Sequence, residues 1–304
     1  MSEGAQVSEG SEVSVAAEAG RIAVRKTYKL YVGGAFPRSE SGRTFEVTDH
    51  AGGFWANAAL ASRKDARDAV VAARKAFPGW SGRTAYNRGQ VLYRVAEVLE
   101  GRRAQFAAEV RLATGVCRDE ALAEVDAAVD RWVWYAGWAD KIAQVRGGVN
   151  PVAGPFANFS VPEPSGVAAV LAPRDSALLG LVSVLAPAIV GGGTCVLVAS
   201  ARYPLPAITL AEVLATSDLP GGVVNVLTGQ VAEVAPWLAS HMDVNAIDVT
   251  GAPGGLADDL AVAAAGSNLK RVLRLPPVAW TADPGVDRMF GYLETKTIWH
   301  PMGL

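Results

Sequence analysis

Gly166-Val-Ala-Ala-Val-Leu-Ala172 is the stretch of sequence that decides the fold. Its five consecutive apolar residues, Val167–Leu171, are typical of a strand that is covered on both faces. A helical stretch follows at 177–190, and then comes a second strand-like run, Thr194-Cys-Val-Leu-Val198. This order of strand, helix and strand predicts a βαβ unit, in which the two strands are parallel.

The same alternation of strand and helix continues as far as Leu275. The further strands are predicted at Val223–Leu227, Asn245–Val249 and Arg271–Leu275, and the further helices at about 206–215, 231–239 and 256–265. Right-handed crossovers turn this series into an α/β fold with a doubly wound five-stranded parallel sheet. Such sheets bind ligands beyond the C-terminal ends of their strands, so we expect the site at loops 172–176, 199–202, 228–230 and 250–255.

The N-terminal half predicts a helical region. Ser62-Arg-Lys-Asp65 carries a helix start signal, and the apolar residues after it recur at helical spacing as far as Phe77. Pro78-Gly79 is expected to end that helix. Further helices are predicted before Thr114-Gly115 and from about 119 to 144. Residues 1–26 are rich in Ser, Glu, Ala and Gly, which predicts a disordered tail.

Composition excludes several classes of protein. The 28 basic and 30 acidic residues give a net charge of −2, which leaves no electrostatic footprint for nucleic acid or for an anionic membrane. The most apolar stretch, 166–198, is interrupted by two charged residues and a glycine triplet, so no membrane span is predicted. Two cysteines and three histidines offer neither a disulfide framework nor the spacing of a metal site. The N-terminus lacks the features of a secretory signal, and we therefore expect a globular, cytoplasmic protein.

Several segments between about Leu30 and Leu275 resemble, in register, blocks of the NAD(P)-dependent aldehyde dehydrogenases. They are Tyr31–Gly34, Lys75–Trp80, Trp134–Gly137, Pro164–Val167, Leu219–Gly229 and Asn268–Val272. The resemblance implies that 27–275 is an NAD(P)-binding-like domain of that family. It also implies a small oligomerisation sheet, because residues 150–163 and 291–304 resemble strands that join the subunits of those enzymes.

The same resemblance implies that the family's chemistry is absent. The nucleophilic cysteine of these enzymes lies in a catalytic domain after the Asn-Leu-Lys-Arg-Val block, whereas here a linker, 276–290, leads to the terminal strand. Cys195 falls inside a predicted buried strand and Cys117 near a helix start in the other half, and we expect each to be a structural or incidental thiol. Leu275 stands where the general-base glutamate would be. We therefore expect no catalytic residue, no metal ligand and no enzymatic activity of the chain alone.

The ligand loops also depart from the family. Its Pro-Trp-Asn-Phe loop, which supplies an amide to the oxyanion hole, here reads Pro173-Arg-Asp-Ser176, and the Asp175 carboxylate would repel an oxyanion. The lysine that binds the adenosine ribose and the acid after it align with Val198 and Ala201. The residues that remain of the cofactor site, as the resemblance implies them, are Pro173, Gly229, Thr250 and Gly251.

These residues leave NAD(P) binding open. Amides at a helix N-terminus hold a pyrophosphate without particular side chains, which would permit weak binding. The same glycines also serve as tight turns between a strand and a helix, and that role needs no cofactor.

Together these features predict a pseudoenzyme. It would be a non-catalytic aldehyde dehydrogenase homologue, acting as a structural or regulatory partner subunit of a full-length aldehyde dehydrogenase or forming a homo-oligomer. Two alternatives stay open. One is an NAD(P)-binding module, and the other is an NAD(P)-dependent aldehyde oxidoreductase that is active only as part of a complex.

Overall fold

A computed structural model describes residues 26–277 and 279–303. Except for Lys26, the predicted tail 1–26 lies outside the described residues. The first strands, β1 (Thr27–Tyr28), β2 (Thr44–Thr48) and β3 (Phe54–Ala59), form a small sheet in the order β1-β3-β2. This sheet was not predicted, because its strands are short and β3 is rich in alanine, a weak strand former.

Five helices and two strands complete the first half. They are α1 (Arg63–Ser81), α2 (Ala85–Gly101), α3 (Arg103–Thr114), α4 (Arg118–Trp138), α5 (Ile142–Arg146), β4 (Gly148–Val149) and β5 (Phe156–Pro164). The start signal of α1 is confirmed, because the Ser62 hydroxyl accepts bonds from first-turn amides and the Asp65 carboxylate accepts one from the Ser62 amide. Gly115 ends α3 in the left-handed conformation, as the sequence predicts.

The predicted end of α1 was wrong. The helix passes through Pro78 and ends at Ser81. A proline this close to the end disturbs only the last turns, and the packing of Trp80 compensates. Trp80 is fully buried and donates from its indole nitrogen to the Ile189 carbonyl oxygen at 2.9 Å. The helix predicted from 119 to 144 is likewise shorter, since α4 ends at Trp138.

The second half forms the predicted parallel sheet. Its strands are β6 (Val167–Leu171), β7 (Thr194–Val198), β8 (Val224–Leu227), β9 (Ala246–Asp248) and β10 (Arg271–Leu273), and the helices between them are α6 (Leu179–Val190), α7 (Pro204–Ala215), α8 (Val231–Ser240) and α9 (Leu256–Ala265). The strand order is β10-β9-β6-β7-β8, and all neighbours are parallel. The α/β fold with a doubly wound five-stranded sheet is therefore confirmed.

The core surrounds this sheet. Every residue of β6, β7, β8 and α6 is buried, as expected for a layer covered by helices on both faces. No helix of the described residues is long and apolar enough to cross a bilayer.

The C-terminal segment is packed against both halves. Helix α10 (Asp287–Gly291) precedes β11 (Leu293–Pro301), which pairs antiparallel with β5 along its whole length. β4 lies on the other side of β5. The segment 276–290, predicted as a linker, thus contains most of a short helix, and Arg288 and Met289 within it are buried.

Candidate functional site

The connections of the parallel sheet diverge between β6 and β9, because β6 leads to β7 on one side and β9 leads to β10 on the other. Open α/β sheets bind ligands at this point, beyond the C-terminal ends of the strands. A cavity of about 380 Å³ lies there, called the crevice below. It is lined by residues 173–175 after β6, 249–252 and Ala257 after β9, 274–277 after β10, and by Trp280 and Arg288.

Three of the four predicted cofactor residues meet at the crevice. Pro173, Thr250 and Gly251 line it, whereas Gly229 follows β8 and is not among its lining residues. A Cβ atom at Gly251 would stand 2.0 Å from the Ala172 carbonyl oxygen, so the close approach of two strand ends requires this glycine. Gly229 has a φ of +140° and packs against the loop after β3. Each glycine therefore has a structural reason that needs no cofactor.

A buried carboxylate lies beneath the crevice. Asp248, the last residue of β9, is fully buried, and Arg288 donates from Nη1 to its Oδ2 atom. The Tyr292 hydroxyl donates to the same oxygen at 3.1 Å, and the Thr250 amide donates to Oδ1 at 3.0 Å. Burial and, second, the charge of Asp248 raise the pKa of Tyr292 well above its usual range. The hydroxyl therefore remains a donor at neutral pH.

Sequence reasoning missed this network. Its one signal was an aspartate in the otherwise apolar run that forms β9, since a buried charge requires a partner. The partner, Arg288, stands 40 residues later in the chain, and no local pattern connects it with Asp248.

Hydrogen bonds with polar side chains hold the residues around Trp280 at the crevice. The Trp280 indole donates from Nε1 to the Asp175 Oδ1 atom at 2.9 Å. Arg131, on α4, donates to the carbonyl oxygens of Trp280 and Ala282 at 2.7 and 3.0 Å. Asp175, predicted to repel an oxyanion, thus accepts a hydrogen bond from the chain's own C-terminal segment.

The positions aligned with the family's adenosine-ribose ligands, and the start of α6, do not fit a dinucleotide. Val198 is fully buried and the Ala201 side chain has no polar atom, so neither offers a ligand to a ribose. The N-terminal amides of α6 are already occupied, because Glu124 accepts bonds from the amides of Leu178 and Leu179 at 2.9 and 3.1 Å. A pyrophosphate at this helix end would meet a carboxylate in place of free amides.

Neither cysteine lies at the crevice. Cys195 is fully buried in β7, and burial raises the pKa of its thiol well above the usual range. Cys117 is exposed at the start of α4, where its sulfur accepts a bond from the Glu120 amide at 3.5 Å.

Leu275, aligned with the family's general base, lines the crevice with an apolar side chain. Among the described residues, no group of three or more His, Cys, Asp and Glu side chains could hold a metal ion.

The two thiols are expected to differ sharply in reactivity. A disulfide reagent at neutral pH should label Cys117 in the native protein, and Cys195 only after denaturation, because a buried, protonated thiol is inert. Absorbance of the released thiolate measures this as one thiol per chain before denaturation and two after it. Cys117→Ser is the control, with no rapid labelling expected; rapid labelling of that variant would show that Cys195 is accessible.

Comparison with known proteins identifies the family. The model of the aldehyde dehydrogenase family matches residues 36–274. The chain is 32% identical over 249 residues to aldehyde dehydrogenase, cytosolic 1, of Elephantulus edwardii, and the match covers 80% of this chain and 49% of that protein. It is 35% identical over 248 residues to aldehyde dehydrogenase family 2 member B4, mitochondrial, of Arabidopsis thaliana, covering 80% of this chain and 45% of that protein.

Solved structures agree with the sequence comparison. The aldehyde dehydrogenase KauB from Pseudomonas aeruginosa matches with a TM-score of 0.75 and 31% identity over 80% of this chain and 49% of that one. An NAD-dependent aldehyde dehydrogenase from Sinorhizobium meliloti matches with a TM-score of 0.75 and 28% identity over 82% of this chain and 50% of that one. The chain thus spans about half the length of these relatives. With most of its length matched by the family model and by these relatives, the chain belongs to the aldehyde dehydrogenase family.

Proposed function

We propose that this chain is a non-catalytic aldehyde dehydrogenase homologue that serves, in the cytoplasm, as a partner subunit of a full-length aldehyde dehydrogenase. The observation that carries the proposal is the three-stranded sheet of β4, β5 and β11, called the ribbon below. The ribbon presents apolar side chains to solvent on both of its faces.

One face of the ribbon carries an apolar row. Val149, Phe159 and Ile298 stand opposite one another on the three strands and are 73%, 40% and 43% exposed. The other face carries Phe156 and Trp299, whose rings lie edge to face with centroids 5.9 Å apart. Contiguous exposed apolar side chains of this kind are typical of an interaction surface.

The edge of the ribbon points to the same role. β11 is an edge strand, and all of its residues after Leu293 are exposed. A long strand with a free edge is a template for pairing with another chain. Within residues 26–277 and 279–303, no strand pairs with the outer edge of β11. A partner that covers the ribbon would remove this aggregation hazard.

Three positions support the absence of catalysis by the chain alone. Cys195 is buried, Cys117 lies away from the crevice, and Leu275 offers no base. Acyl transfer through a thiol requires a nucleophile and a base at one place. A crevice without either supports a structural or regulatory role.

A full-length subunit is favoured over a second copy of this chain. In the family that this chain resembles, the corresponding sheet lies against a neighbouring subunit. The matched relatives carry about as much chain again as this protein matches. That additional half gives a full-length partner surface beyond the part that the match covers.

The ribbon variants Phe159→Asp and Ile298→Asp are expected to weaken the complex at least 30-fold, roughly the effect of losing 2 kcal/mol at the centre of an interface. Each places a charge in the middle of the apolar row. Co-expression with the full-length aldehyde dehydrogenases of the same organism, followed by light scattering on a size-exclusion column, measures complex formation.

The matched control is Val262→Asp, which changes a valine of α9 that is 74% exposed and lies outside the ribbon. It should leave the complex intact. A monomer that captures no aldehyde dehydrogenase subunit would overturn the proposal. A homodimer broken by Phe159→Asp would also overturn it, in favour of self-association through the ribbon.

A further inference from the structure

We propose that the crevice binds a small organic anion, with a phosphate ester or carboxylate group, in place of a dinucleotide. Three arginines, Arg174, Arg274 and Arg288, line this one cavity. Its volume of about 380 Å³ lies near the lower end of the roughly 300–1,000 Å³ typical of small-molecule sites. This ligand site is independent of the partner proposed above.

Arg288 supplies the buried end of the site. Its side chain is 7% exposed, and its Nη1 atom donates to Asp248 and, at 2.9 Å, to the Thr250 hydroxyl. The described contacts leave its Nε and Nη2 atoms without a partner. A guanidinium fixed at one nitrogen in this way is pre-organised to donate from the others to an oxyanion.

Arg174 and Arg274 supply the outer end. Arg174 is exposed and has no ion-pair partner among the described residues. Arg274 donates to Asp258 at 2.6 Å, but both side chains are more than half exposed. A surface pair of this kind is screened by water and contributes little, so a ligand oxyanion can compete for the guanidinium.

The carboxylates near the cavity are already bonded to donors. Asp175 accepts the Trp280 indole N–H, and Asp248 accepts Arg288, Tyr292 and Thr250. Of the charged side chains that line the cavity, three are positive and one, Asp175, is negative. Because Asp248 and Asp258 are likewise bonded to arginines, the guanidinium nitrogens without a partner are the groups that remain for an oxyanion.

The remaining lining residues determine which kind of group the oxyanion can be attached to. Val249, Leu275 and Pro276 are apolar, and Trp280 adds an aromatic ring. A planar or apolar group attached to the oxyanion fits this wall. Trp280 and Arg288 lie beyond residue 274, where the family match ends, so the site depends on a segment outside the matched domain.

Titration of the intact chain with phenyl phosphate by calorimetry tests the site. One saturable binding event is expected, weakened by added salt because the contacts are ionic. Arg174→Gln should weaken binding about 10-fold to 100-fold, as expected when a charge-assisted hydrogen bond is lost. Arg174 is exposed, so this variant should keep its native melting temperature, which a thermal scan checks.

Arg38→Gln is the matched control, since Arg38 is exposed, lies outside the cavity and belongs to none of the loops expected to carry the site. It should bind phenyl phosphate as the unmodified chain does. Benzoate, titrated in parallel, distinguishes a carboxylate ligand from a phosphate ester, and tighter binding of either anion supports the site. Absence of saturable binding of both anions up to about 10 mM, well above the range of specific affinities, would overturn it. An equal loss in Arg174→Gln and Arg38→Gln would do the same.

Discussion

Arg288→Met is expected to lower the free energy of unfolding by about 3–5 kcal/mol. Arg288 is the countercharge of Asp248, whose carboxylate is fully buried at the end of β9. Methionine keeps part of the side-chain volume, but it leaves a buried carboxylate unpaired, and that costs more than the ion pair contributed. Urea denaturation, analysed with an unchanged slope m, measures the loss.

Two further variants separate the buried pair from general effects of losing an arginine. Arg274→Met removes a cation from a pair that is 54% and 76% exposed, so the expected loss is below about 1 kcal/mol. Asp248→Asn combined with Arg288→Met should be less harmful than Arg288→Met alone, because the unpaired charge is then gone. Equal losses of unfolding free energy in Arg288→Met and Arg274→Met would show that the buried Asp248 carboxylate does not need Arg288 as its countercharge.

The parallel sheet was predictable because its signals are local. Each of its strands is a short apolar run, and each run alternates with a helical stretch, as for Val167–Leu171 and 177–190. The capping signal at Ser62–Asp65 is local as well and is confirmed. The bounds were less accurate, since Arg271–Leu275 was predicted where β10 ends at Leu273. Strand ends depend on pairing with neighbours, which the sequence pattern does not contain.

The sequence predicted where in the fold the crevice lies, but it did not predict all of the residues that line it. Four loops, 172–176, 199–202, 228–230 and 250–255, were expected to carry the site, and residues of the first and the last of them line the crevice. Trp280 and Arg288 were not expected there, since they reach the crevice from a segment that the sequence identified only as a linker. Side chains that meet through tertiary packing, from positions far apart in the chain, leave no periodic signal.

Gly251 illustrates how one residue can fit two interpretations. In the sequence it was either a remnant of a phosphate-binding turn or a tight turn between a strand and a helix. In the structure a side chain there would collide with the Ala172 carbonyl oxygen, so close packing of β6 and β9 explains the glycine fully. The glycine alone therefore does not support NAD(P) binding, and the arginines around the crevice are the more specific guide to a ligand.

Trp80→Ala is the second substitution for which a large loss is expected, about 3–5 kcal/mol of unfolding free energy. The indole is fully buried between α1 and α6, where it donates to the Ile189 carbonyl oxygen at 2.9 Å. Alanine would leave a cavity that a rigid helix pair cannot close, and it would also remove the hydrogen bond. Urea denaturation followed by far-ultraviolet circular dichroism measures the loss without relying on tryptophan fluorescence.

Two comparisons show whether Trp80 holds the end of α1 beyond Pro78. Trp80→Phe keeps most of the apolar volume and should cost less than alanine, since the Ile189 oxygen still accepts the Gly192 amide at 3.0 Å. Trp237→Ala changes a tryptophan that is 42% exposed, and a loss below about 1 kcal/mol is expected. If Trp80→Ala were as mild as Trp237→Ala, packing would not explain why the helix continues past the proline. A large loss confined to Trp80 would mean that one buried side chain overrides a local stop signal, and it would explain why the sequence pattern placed the end of α1 too early.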